Sequence, residues 1–241
     1  MLSVLSSIVL AQATPPPPSQ EIRVPQPVRV LPGQLDTVPV FNSNSPELVL
    51  NEGILLSTLP PDGKQVPAAH LNFPFNGRFD VFAHHIARAP RPDDLRTLYL
   101  GVLMQNPGTQ PVTVDILQAA SHLSQPDAPF IPLPPYVDNP AGTVFAGPGS
   151  RAMLDVLRGQ RQAEFPAQIV IPPGESRMLL NLPIPVKELT PPLNGRSTLI
   201  RARSTAPIYL ASLAKFAPTD PGGNERAPTV EEWQALLTSG S

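Results

Sequence analysis

The chain has 241 residues, 41% of them hydrophobic, which is enough for one large or two small domains with a real core and excludes wholesale disorder. A net charge of -2 with no dense Lys/Arg cluster argues against nucleic acid and against anionic lipid as partners. The absence of cysteine rules out disulfides, thiol nucleophiles and Cys-ligated zinc, and the 35 prolines predict short extended runs joined by stiff loops.

Leu2 to Leu10 is an apolar run of signal-peptide length, and Ala11-Gln12-Ala13 is a small-x-small cleavage pattern. No basic residue precedes Arg23, so the usual positive n-region is missing. Residues 1–13 are read as a signal peptide, which predicts export to the periplasm, outer envelope or medium. No stretch approaches the ~20 apolar residues of a membrane-spanning helix. Residues 14–27, with Pro15 to Pro18, form an extended proline-rich linker.

From Val28 the pattern becomes strand-like. Val28 to Val30, Val38 to Val40 and Leu48 to Leu56 are β candidates, and Pro60-Pro61-Asp62-Gly63 is a turn. Val66 to Phe75 and Arg78 to Ile86 are two extended runs with Asn76-Gly77 between them, a spacing that predicts a hairpin. Leu98, Leu100, Val102 and Met104 recur at period two, Asn106-Pro107-Gly108 interrupts, and Val112, Val114 and Ile116 resume the period. Alternation of this kind buries one face of a strand, so 96–117 predicts a second hairpin.

The alternation lapses over 124–149, a stretch dense in Pro, Gly, Asn and Asp yet carrying Phe130, Ile131, Leu133, Tyr136, Val137, Val144 and Phe145. A loop this long is usually functional, and its apolar residues are expected to pack on something. Ser150 to Gln162 predicts a short helix capped by Ser150, with Met153, Leu154 and Leu157 on its buried face. Strands resume at Ala167 to Ile171 and Arg177 to Leu182 around Pro172-Pro173-Gly174, then at Ser197 to Arg203 and Ile208 to Phe216 around Ser204 to Pro207. Thr229 and Glu232 form a capping box that opens a C-terminal helix with Trp233, Leu236 and Leu237. About ten short strands predict an all-β fold, an antiparallel β-sandwich of immunoglobulin-like or jelly-roll type. The sandwich covers 28–218, a loop and helix are inserted at about 119–165, and residues 219–241 form a tail with a short helix.

The densest set of metal-type side chains is His70, Asp80, His84 and His85. With a turn at Asn76-Gly77, His70 faces the strand of His84 and His85, and Asp80 completes a set suited to zinc or another divalent ion. This defines one reading, a metal-dependent hydrolase. Against it, His84 and His85 are adjacent and point to opposite faces. No G-x-S-x-G, glycine-rich phosphate loop or EF-hand spacing is present. No catalytic residue is therefore assigned. The leading reading is a non-enzymatic envelope module that binds a surface polysaccharide or a partner protein through Phe130, Ile131, Leu133, Tyr136 and Phe145. A purely structural spacer is the third.

Leu31 to Asp36, Phe41 to Glu47, Pro67 to His85, Ser124 to Phe130 and Ala227 to Thr229 together resemble an uncharacterised cyanobacterial family, domain of unknown function 3370. The resemblance covers Val28 to about Leu237. It implies an exported envelope protein of cyanobacterial source and a longer parent chain with a second half after Trp233. It supplies no activity and no site residues.

Overall fold

One strand organises the molecule. In the computed structural model, which describes Arg23, Pro25, Gly33 and residues 36–239, β9 (Leu193–Phe216) runs unbroken for 24 residues. Its first half belongs to one sheet and its second half to another. β4 (Phe75–Arg88) and β6 (Val112–Leu123) flank Leu193 to Ser204, both antiparallel. β3 (Gly53–Ser57) and β5 (Leu98–Gln105) flank the second half in the same sense. The first sheet is completed by β1 (Val40–Ser43), β2 (Leu48–Val49) and β7 (Gln168–Ile171), the second by β8 (Ser176–Ile184). The fold is all-β and sandwich-like, as its alternation predicts. The sheet is mixed, however, because β1 and β2 both run parallel to β4.

The core lies between the two halves. Phe79, Val81 and Ala83 from β4 meet Leu98, Leu100, Val102 and Met104 from β5 and Ile200 and Ala202 from β9. The opposite face of β5 is covered by α2 (Val230–Ser239), whose Trp233 is fully buried among Leu59, Leu103 and Leu213. Gly101 makes that approach possible, since a Cβ there would stand 2.8 Å from the indole ring. The predicted capping box closes α2. The Thr229 N–H donates to Glu232 Oε2 at 2.8 Å, and the Glu232 N–H donates to Thr229 Oγ1 at 3.3 Å.

The predicted reversals need correction. β5 and β6 do not pair with each other; one lies in each sheet, so Asn106-Pro107-Gly108 carries the chain across the sandwich. Asn106 is buried and holds this corner. Its Nδ2 donates to the carbonyls of Gln110 (2.8 Å), Ile171 (3.0 Å) and Pro172 (3.2 Å), and its Oδ1 accepts from the Gly108 N–H at 2.8 Å. Pro172-Pro173-Gly174 likewise joins β7 to β8 across the sheets. Asn76-Gly77 is no turn. Gly77 takes φ +72° as a bulge inside β4, where the register with β9 shifts between Phe75 and Gly77. Residues 71–73 instead lie along 57–59, through N–H donation to the carbonyls of Ser57, Leu59 and Thr58.

Ser204 to Pro207 is not a turn either. Residues 205–207 fall between the two ladders, the one place in β9 where a proline without an N–H costs no sheet bond. α1 (Gly147–Leu157) starts three residues before Ser150 and rests on the outer face of the first sheet through Ala152 and Val156. Met153 and Leu157 are exposed, because the small Ala152 lets the helix sit close to Ala120 and Leu199. Ser150 lies inside the first turn, with its hydroxyl bonded to Ala146. The unit from Asp36 onward is one compact body that includes α2. The signal-peptide reading of 1–13, nearly all of the 14–27 linker and the candidate strand Val28 to Val30 lie outside the described residues.

Candidate functional site

The histidines do not gather. His84 and His85 leave β4 on opposite faces, as adjacent strand residues must. His85 points inward and is wholly buried; its Nδ1 donates to the Pro46 carbonyl (2.9 Å) and its Nε2 accepts from the Ser43 hydroxyl (2.8 Å). Burial pushes its pKa down to about 4, with neighbouring His84 acting in the same direction, against the smaller pull of the Pro46 and Ser43 backbone groups. His70 lies before β4 and bonds to Ser57 Oγ at 2.8 Å, while its Nε2 is buried with no partner among the described residues. Burial, then the nearby Lys64, lowers its pKa. Asp80 shares a face with His84 but stands four residues along the strand, about 13 Å away at strand rise. It pairs with Arg78 at 2.6 Å. No group of three His, Asp or Glu able to hold a metal occurs among the described residues.

The strand register assembles a different row, one that the sequence conceals. His84 of β4, Ser197 of β9 and His122 of β6 lie directly across from one another on the outer face, with α1 over Ser197 and His122. Since a carboxylate only accepts, His84 Nε2 donates to Glu47 Oε1 (3.1 Å), and Nδ1 accepts from Ser197 Oγ (2.7 Å). At the other end His122 Nε2 donates to Asp155 Oδ2 of α1 at 2.7 Å. Ser, His and Glu here have the composition of a nucleophilic relay but lack access. Ser197 is fully buried, and the position of a Cβ on Gly149 lies 3.6 Å from its hydroxyl. The row joins β4, β9, β6 and α1 and leaves no room for a substrate.

The loop between β6 and α1 is built the opposite way. Its ends are tied down. Asn194 of β9 exchanges bonds with Gln125, taking the Gln125 N–H on Oδ1 (3.0 Å) and donating from Nδ2 to the Gln125 carbonyl (2.9 Å). Asp127 accepts from the Leu123 N–H at 2.8 Å, and the Arg151 guanidinium donates to the Asp127 carbonyl. At the far end Asn139 brackets Val144 through both side-chain atoms, and Arg158 reaches the Pro140 carbonyl. Between these anchors every residue from Pro129 to Asp138 is exposed. Phe130 is 71% exposed and Tyr136 69%, with Ile131, Leu133 and Val137 exposed beside them. None of these five side chains is buried in the core, although the Phe130 ring lies against Gly147 at the start of α1. Phe145 alone of the predicted binding residues is half-buried, with the Arg151 guanidinium 5.0 Å over its ring.

Two clefts of about 350 and 340 Å³ adjoin at the foot of the loop and share Gln125, Glu188, Leu189 and Asn194. Phe130 forms part of the rim of the first. A larger cleft of about 740 Å³ lies at the other end of β9, lined by Glu52, Arg96, Lys215 and Glu232. Its charges are already spent: Lys215 pairs with Glu52, Arg96 with Asp94 and Glu232 with Arg226.

A family model for proteins of unknown function, DUF3370, matches residues 26–241. The chain belongs to this family. No curated protein and no solved structure matches it. The DUF3370 match takes in both sheets, the loop and α2 together. Within this DUF3370 domain the remaining buried charge also serves the scaffold. Arg196 is buried next to His85 on the inner face, where its guanidinium donates to the Pro183 carbonyl and to Ser121 Oγ, each at 2.9 Å. Burial lowers its pKa to about 10, opposed by Asp127 and Glu164. No helix among the described residues is long and apolar enough to cross a membrane.

Proposed function

We propose that this domain is a non-enzymatic, exported cell-envelope module that docks on a partner protein through the loop 124–149. The observation that carries the reading is the continuous exposed apolar run Phe130, Ile131, Leu133, Tyr136 and Val137 on a loop tied down at both ends. Contiguous apolar surface of this kind marks an interaction site, and loops on a rigid scaffold are where recognition concentrates. A protein fits better than a polysaccharide. Sugar recognition needs free polar groups beside the aromatic rings, and here they are engaged internally: Tyr136 donates to Asp138 at 2.8 Å, and Asn139 is spent on Val144. Export rests on the apolar run 2–10 and Ala11-Gln12-Ala13.

The test is saturable binding of the purified chain to solubilised envelope material, with the material untreated, protease-treated or periodate-oxidised. The expected result is binding that protease abolishes, that periodate spares, and that falls about tenfold or more in Phe130→Ser/Leu133→Ser/Tyr136→Ser. Binding unchanged in that variant overturns the loop as the docking surface, and loss on periodate alone overturns the protein partner. N-terminal sequencing of the chain recovered from the envelope is expected to begin at Thr14; recovery of the intact terminus in the cytosol alone contradicts export.

A further inference from the structure

The exposed run reads Pro129-Phe-Ile-Pro-Leu-Pro-Pro-Tyr-Val137, and its period is three. Pro129, Pro132 and Pro135 recur at that interval, as do Phe130, Leu133 and Tyr136. Three residues per turn is the repeat of polyproline II, a helix with no internal hydrogen bonds and a fully solvated backbone. Proline presets its own φ near the required value and biases the preceding residue, here Ile131, Leu133 and Pro134, towards the extended region.

The structure agrees on each point it touches. Residues 129–138 carry neither helix nor strand, and the chain bends at Pro135, so the proline run before the bend is 129–134. Among the described residues no backbone group of Phe130 to Asp138 enters a backbone–backbone hydrogen bond; only the Pro129 carbonyl does, accepting from Gly147 at 3.2 Å. Residues 128–137 carry no charge. The anchors at Gln125, Asp127 and Asn139 tie both ends of the segment, which reduces the conformational freedom to be lost on binding.

We infer that Pro129–Pro134 is itself a ligand, a polyproline rod presented to an aromatic-lined groove on a partner protein. Such a groove packs rings against pyrrolidine edges, and its Trp or Tyr donors reach the carbonyls that this segment leaves free. The inference deepens the docking reading of the same loop and rests on it. It adds that recognition depends on the prolines and on backbone carbonyls, and not on the apolar side chains alone.

The test uses the full chain and the same envelope extract, with two additions. One is the variant Pro132→Ala/Pro134→Ala; the other is a peptide of residues 128–138, with a version carrying alanine at Pro132, Pro134 and Pro135, as competitors. The rod predicts about tenfold weaker binding by the proline variant, and competition by the native peptide about tenfold stronger than by its alanine version. It also predicts an unchanged melting temperature, because residues 130–138 make no backbone–backbone bonds to the fold and the one at Pro129 is left in place. Binding by the proline variant within about twofold of wild type, while Phe130→Ser/Leu133→Ser/Tyr136→Ser loses it, overturns the rod and leaves the docking loop standing. Binding unaffected by either variant overturns both.

Discussion

The histidine row under α1 and the loop above it invert the usual division of labour. Side chains that could carry chemistry are paired off internally, His84 with Ser197 and Glu47, and His122 with Asp155, and Ser197 is buried under α1. Side chains that ordinarily build a core, namely Phe130, Ile131, Leu133 and Tyr136, stand in solvent. The polar groups of the sandwich hold strands in register, and the apolar groups of the loop are free to meet something else.

If that contrast holds, substitutions on the two sides differ in what they damage. The largest loss is expected at Trp233, which is fully buried against Leu59, Leu103 and Gly101. Trp233→Ala removes that filling and costs about 3–5 kcal/mol, read by denaturant unfolding. A value below about 1 kcal/mol would mean that α2 is not part of the cooperative unit.

Next is the pH dependence set by His85. Burial keeps it neutral in the fold down to about pH 4, whereas it protonates near 6.5 once exposed. Between those values the unfolded chain binds the extra proton, so stability is full above about 6.5 and falls as the pH drops towards 4. The loss is on the order of 3 kcal/mol for this one group, and His70 adds in the same direction. Urea unfolding at pH 7, 5.5 and 4 measures it, and a flat profile would show that His85 is solvated in solution.

Asn106→Ala strips the corner between β5 and β6 of its side-chain bonds and costs about 2 kcal/mol. A hairpin at that position, with Asn106 in a solvated turn, would give almost no change. The smallest effect on stability belongs to the loop: Phe130→Ser/Leu133→Ser/Tyr136→Ser is expected within about 0.5 kcal/mol of wild type.

The strands themselves were legible, because alternation at Leu98 to Met104 and Val112 to Ile116 reports burial of one face whatever the pairing. Partners were not. Asn106-Pro107-Gly108 and Pro172-Pro173-Gly174 reverse the chain by local φ/ψ chemistry that is the same for a hairpin and for a crossing between sheets. Which of the two forms depends on β9, which begins only at Leu193. Asn76-Gly77 failed for a related reason: a glycine at positive φ serves a bulge as well as a turn, and the long ladder with β9 keeps β4 continuous through it. The capping box at Thr229 was legible in full because both partners lie within four residues. For the site, the loop could be found by its composition, but its exposure could not. The His84–Ser197–His122 row was out of reach, since three segments meet only through cross-strand register. The one cue to it was the period-two placement of His84 opposite the face of Val81 and Ala83.

On the proposed reading, binding resides in the loop and stability in the row. This division is tested most directly by measuring, on the same preparations, the melting temperature and the affinity for solubilised envelope protein of two variants. These are Phe130→Ser/Leu133→Ser/Tyr136→Ser and His84→Ala/His122→Ala. The loop variant is expected to melt with wild type and bind about tenfold or more weakly, while the histidine variant melts earlier and, kept below its transition, binds with wild-type affinity. A loop variant that binds normally, with a folded histidine variant that does not, would contradict it.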